Sequence, residues 1–186
     1  MNKHKFVLAS FLLFIFFISS CNQLKSKYYI GEKETIPMKE LKSETIWQFG
    51  DDVFYLRILD SLNVIASSLE WQESDKEYKV KTFEVIFTNL DEAKFLNVKG
   101  EDGMYTLLRM VGADDGTIVF FTVNEEFMKN EIKQGQVRAK EDGSDYILDI
   151  SKQELDNYVA KNINDLFSIK TPGIIKPLVN ITKENK

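Results

Sequence analysis

The amino-acid sequence predicts an α+β domain: a twisted antiparallel meander or half-barrel sheet, packed by a C-terminal helix and a second short helix. Three observations carry this expectation. Six short apolar runs follow one another between residues 53 and 123 with tight connections. Parallel strands need crossovers of about a dozen residues or more, and the connections leave no room for them. Asp102-Gly103 and Asp115-Gly116 lie between runs, and both residue types accept the positive φ of hairpin turns. Helical periodicity with recognisable caps then takes over.

Each element has a local reason. VFYLRIL, from residue 53, alternates, with Phe54, Leu56 and Ile58 on one face. LNVIASSL, 62–69, is a second run, entered through Asp60-Ser61. YKVKTFEVIFT, 78–88, sets Phe83, Val85 and Phe87 opposite Glu84. AKFLNV, MYTLLRMV and TIVFFTV complete the meander. NEEFMKNEIKQ, 124–134, reads as a short helix capped by Asn124, with two acids at its positive end and Gly135 as its stop. A strand pair is expected around GQVRA and DYILDI, joined by EDGSD. Ser151 and Glu154 make a capping box for the last helix, and Ile150 with Leu155 a hydrophobic staple. Leu155, Tyr158, Val159, Asn162 and Leu166 then recur at helical spacing. Residues 28–50 are less regular: YYI reads as a first strand, and Pro37 disfavours a long element.

The N-terminus has its own logic. Lys3 and Lys5 precede FVLASFLLFIFFI, residues 6–18, in which only Ser10 is polar. A helix needs about 20 apolar residues to span a bilayer, so this run is too short and matches a signal-peptide core. Ile18, Ser19, Ser20 and Cys21 follow, and this stretch resembles the lipobox of bacterial prolipoproteins. The resemblance implies cleavage between Ser20 and Cys21, a diacylglycerol thioether on Cys21 and an acyl chain on its new amino group. Ile18 and Ser20 are variants of the commonest residues there. One fatty chain anchors only marginally and two or more hold stably. The expected organisation is therefore a signal peptide over 1–20, a lipidated cysteine and polar tether over 21–27, one α+β domain over 28–167, and an extended C-terminal tail over 168–186. The six-residue tether NQLKSK would reach about 15 Å. Asn22, in place of Asp, resembles the pattern sorted to the outer membrane in Gram-negative cells. The expected location is the cell envelope, through a lipid anchor.

Removing residues 1–20 takes away Lys3 and Lys5 and leaves 22 basic against 29 acidic side chains, a formal charge of −7. That balance argues against nucleic acid as a partner. The same cut removes His4, the one histidine, and lipidation occupies the one cysteine. The remaining chain then lacks the residues for a Ser-His-Asp triad, a Cys-His pair, a disulfide or a His/Cys zinc site. No enzyme and no cofactor beyond the covalent lipid are expected. Carboxylate chemistry is the residual enzymatic alternative, and no spacing selects a pair. The acidic loops GEDG 100–103, ADDG 113–116 and KEDGSD 140–145 lack calcium-loop spacing and read as turns. No metal site is expected.

Trp47, Phe49, Trp71 and Tyr78 sit in less regular segments and are the candidate groove aromatics. Residues 47–167 also loosely resemble small bacterial lipoproteins of unassigned activity, through Trp47, Asp51-Asp52, the ISKQEL helix start and Leu166-Phe167. That resemblance implies a meander ending in a strand and a capped helix, and no catalytic residue. The expected function is a non-enzymatic module binding an envelope protein or ligand. A lipocalin-like carrier of an apolar molecule and an envelope inhibitor or immunity-type protein are the alternatives.

The anchor gives a direct prediction. Mass spectrometry of membrane-derived protein finds acyl chains on residue 21, and Cys21→Ser releases or mislocalises the protein. A free thiol at Cys21 would overturn the assignment.

Overall fold

The computed structural model describes residues 22–33, 44–49, 52–59, 63–112, 117–167 and 172–180. The apolar leader, Ser20, Cys21, Pro37, Asp60-Ser61 and Asp115-Gly116 lie outside the described residues. The fold is α+β, dominated by an antiparallel sheet.

Six consecutive strands form the meander: β3 (Glu44–Phe49), β4 (Asp52–Ile58), β5 (Val64–Gln72), β6 (Glu77–Leu90), β7 (Ala93–Lys99) and β8 (Tyr105–Gly112). Each pairs antiparallel with the next. β9 (Ile118–Phe121) returns beside β8, and β12 (Gly173–Asn180) bridges β9 and β3. The pairings of these eight strands thereby run round a closed circuit. At this seam the tip of the Phe120 ring lies against Gly173, 2.0 Å from where a Cβ would be, so a side chain there would have to displace the ring.

Alternation along the strands decides what fills the circuit. Trp47, Val64, Ala66, Val85, Phe87, Leu96, Met110 and Ile118 are buried in one cluster. Leu56, Ile58 and Ile175 pack against it. An eight-stranded ring has an interior that side chains can just fill. Trp47 is 2% exposed within that interior.

The outer edge of β8 serves two partners. Arg109–Gly112 pairs with β9, and Tyr105–Leu107 pairs with β1 (Gln23–Ser26). β1 also pairs, in parallel, with β11 (Asp145–Leu148), which pairs with β10 (Ala139–Asp142). This corrects the reading of 22–27 as a tether. Leu24 and Ser26 are fully buried, Gln23 accepts from Thr106 Oγ1 at 3.2 Å, and Lys25 meets Asp145 at 2.7 Å. The polar side chains that suggest a tether find partners far along the chain. YYI is likewise no strand; it links β1 to the short β2 (Glu32–Lys33), which pairs with β6. The sheet therefore reaches beyond the expected 28–167 boundaries at both ends, from Gln23 to Asn180.

Two helices cover the outer face. α1 (Glu125–Lys133) is capped by Asn124, whose Nδ2 donates to the Asp165 carbonyl and whose N–H donates to Leu166 O. α2 (Lys152–Leu166) carries the expected capping box, with Ser151 N–H donating to Glu154 Oε2 at 2.8 Å. That backbone bond holds the Glu154 carboxyl below its usual range. Leu155, Val159 and Leu166 pack with Leu24, Phe95, Leu107 and Tyr146 in a second core. β6 is consequently buried on both faces over 85–88.

Asn97, fully buried in β7, joins these layers. Its Oδ1 accepts from Ile30 N–H at 3.1 Å, and its Nδ2 donates to Ile86 O and Thr88 Oγ1 at 3.2 and 2.9 Å. Next to it, Gly31 N–H donates to Asp156 Oδ1 and Gly31 O accepts from Lys152, both at 2.8 Å. Gly31 has φ +66°, and a Cβ there would stand 2.0 Å from Asn89 O. The chain is thus pinned between sheet and α2. Asn97→Ala leaves a buried N–H without an acceptor and should cost about 1–3 kcal/mol. Urea unfolding measures this, and an unchanged midpoint would refute the role given to Asn97.

Candidate functional site

The strongest feature of the surface is a two-stranded ribbon. β5 pairs with β4 only through Val64–Ser67, and β6 pairs with β7 only from Glu84 onward. Residues 68–72 and 77–81 therefore pair only with each other among the described residues. At about 3.3 Å per residue the ribbon extends roughly 15 Å past the ring. Its turn, 73–76, has Lys76 at φ 53°. Lys79 pairs with Asp75 and lies 3.8 Å from Glu77. The hydrogen bond from Lys79, with a second from Ser74, holds the Asp75 carboxyl below its ordinary range.

The two faces of the ribbon differ. Leu69 stands opposite Val80, and Trp71 opposite Tyr78, all on the face that turns outward from the ring. Leu69 is 62% exposed, Val80 67% and Tyr78 59%. The Trp71 and Tyr78 rings meet edge to face, with centroids 5.0 Å apart. Trp71 Nε1 donates to Glu73 Oε2 at 2.7 Å, which fixes the indole at the tip. The opposite face carries Lys79 and Lys81.

The sequence contains a sign of this arrangement. Within the ring, buried apolar residues fall on even positions of β5 (64, 66) and odd positions of β6 (85, 87). Along the ribbon the parity reverses, to 69 and 71 in β5 and to 78 and 80 in β6. Both strands change at the same level. Side chains alternate between faces, so the change moves the apolar stripe from the core to the outside.

The expected groove aromatics do not share one groove. Trp47 is in the ring interior, whereas Trp71 and Tyr78 pair on the ribbon. Phe49 lies in β3 opposite Asp52 and Ile175, and its side chain is outside the described residues. Of the acidic loops, 100–103 is a turn in which Asp102 Oδ1 accepts from Met104 N–H at 2.9 Å. In 140–145, Gly143 has φ 63° and Asp145 pairs with Lys25. Loop 113–116 is outside the described residues. Among the described residues no cluster of three metal-ligating side chains occurs, and no helix is long and apolar enough to cross a membrane.

The two tryptophans should separate sharply. Trp47→Ala removes a buried indole and costs about 3–5 kcal/mol. Trp71→Ala, at the ribbon tip, costs under about 1 kcal/mol. Denaturant unfolding of the two variants compares them, and equal losses would contradict the division between core and surface aromatics. No protein-family model matches the chain, and neither does any curated protein or solved structure.

Proposed function

We propose that this chain is a non-enzymatic bacterial lipoprotein, held in the cell envelope by acyl chains on Cys21, that presents the β5–β6 ribbon to a protein partner. The observation that carries the reading is the cross-strand set Leu69–Val80 and Trp71–Tyr78, in which Leu69, Val80 and Tyr78 are exposed and Trp71 is half-buried. Two-stranded ribbons are marginal in water, and exposed apolar patches mark contact surfaces. Trp and Tyr supply large contact area at low entropic cost and recur at the centres of protein interfaces.

The register supports the orientation. Leu24 shares a row with Leu107, Asn97 and Ile86, and Ser26 shares one with Tyr105, Lys99 and Glu84. β1 therefore runs toward the ribbon. From the level of Leu24 to Glu77 at the tip is about 30 Å along the strands. Cys21 precedes Gln23 by two residues, so a bilayer at Cys21 would lie at the opposite end from the ribbon. The lipocalin-like alternative has less support, because Trp47, Phe87 and Met110 occupy the ring interior.

In-cell photocrosslinking through position 69 tests this. A discrete protein adduct should form with the wild-type ribbon and vanish in the Trp71→Ala, Tyr78→Ala double variant, with the unfolding midpoint unchanged. An adduct pattern identical in both proteins would sink the proposal.

A further inference from the structure

A second surface, separate from the ribbon, has the character of a small-molecule site. Lys27, Tyr28, Tyr29, Tyr105 and Lys152 line an open cleft of about 410 Å³. Its backbone is held in place. Tyr28 N–H donates to Ser26 Oγ at 3.1 Å, Ile30 N–H to Asn97, and Gly31 N–H to Asp156. Tyr29 and Tyr105 meet edge to face, 5.8 Å apart at 85°. Lys152 lies 5.4 Å from the Tyr29 centroid, and Lys99 lies 5.8 Å from that of Tyr105. Burial raises the Tyr105 phenol pKa, with Lys99 opposing it, so Tyr105 remains a neutral donor at pH 7. Tyr28 is 41% exposed, and its ring is the open aromatic surface.

The charge favours an anion. Among the described residues Lys27 faces only Asp149, 4.0 Å away, with both side chains strongly exposed. Lys152 gives one donor to Gly31 O and one to Asp156. An ammonium has three donors, which leaves one. Among the described residues the cleft lining holds two lysines and no carboxylate; Asp149 and Asp156, one near each lysine, lie outside it. The lining combines aromatic rings with a few charged groups, Lys27 and Lys152, which suits a ligand that has both an apolar face and an anionic group.

We infer that this cleft binds a carboxylated sugar, its C–H face stacked on Tyr28 and its carboxylate against Lys27 and Lys152. The exposed phenol ring would serve the sugar, and the ammonium groups beside it the charge. The site is independent of the ribbon, so either reading can fail without the other.

Saturation-transfer NMR of the full chain in detergent micelles tests it, with sodium glucuronate, glucose and cyclohexanecarboxylate as probes. Glucuronate ring protons should show transfer that disappears in Tyr28→Ala. Lys27→Gln should weaken binding about 5-fold, about 1 kcal/mol. Circular dichroism of both variants should match the wild type. Absence of transfer to glucuronate, or equal transfer in folded Tyr28→Ala, overturns the site. Equal binding of glucose overturns the charge requirement, and equal binding of cyclohexanecarboxylate overturns the sugar.

Discussion

One edge of β8 does two jobs, and the rest of the architecture depends on that division. Over 109–112 its backbone groups go to β9, which closes the circuit through β12. Over 105–107 they go to β1, which carries β11 and β10 away from the ring. A strand has a single set of backbone groups on each edge, so the two partners must meet end to end along β8. The ring therefore closes at one level and splays at the other. The splayed part provides the wider outer face on which both helices lie.

This division produces two cores that share a wall. Val85 and Phe87 point into the ring, while Phe95 and Leu107 point under the helices. A wall buried on both faces cannot satisfy polar side chains with water. Asn97 is tolerated there because its amide oxygen and nitrogen both have partners. The Ile30 N–H it accepts from belongs to the link that crosses the outer face. Gly31 extends the same connection to α2 through Lys152 and Asp156. Sheet, link and helix are thus joined by a short polar relay between two apolar layers. The same relay holds Tyr28 and Tyr29 at the surface, so a structural device in the core determines the shape of the cleft above it.

The legibility of these parts in the sequence follows the range of the interactions that create them. The meander is readable because its pairings join neighbouring runs. The α2 cap is readable because Ser151 and Glu154 are three residues apart. β1 is not, since Gln23 and Lys25 look solvated until Thr106 and Asp145 arrive from more distant strands. β12 is only partly readable, as Pro177 and Gly173 obscure a strand that closes the ring. Trp47 and Trp71 look alike in sequence, and ring closure alone separates them. The cleft is hidden for the same reason: Lys27, Tyr28 and Tyr29 are adjacent, but Tyr105 and Lys152 come from other elements.

The ribbon combines two hazards, unpaired strand edges and exposed apolar side chains, which ordinarily promote self-association. Its sequence opposes that outcome. If two copies paired antiparallel through β6 about Val80, Lys79 of each would face Lys81 of the other. Like charges directly opposite destabilise a strand pair. The turn adds Asp75 and Glu77 around Lys79, so the tip presents charge to any approaching copy. A different protein meets no such penalty and can still cover Leu69, Trp71, Tyr78 and Val80. The apolar stripe on one face, with lysines on the other, is therefore better suited to a heterologous partner than to a second copy of the chain.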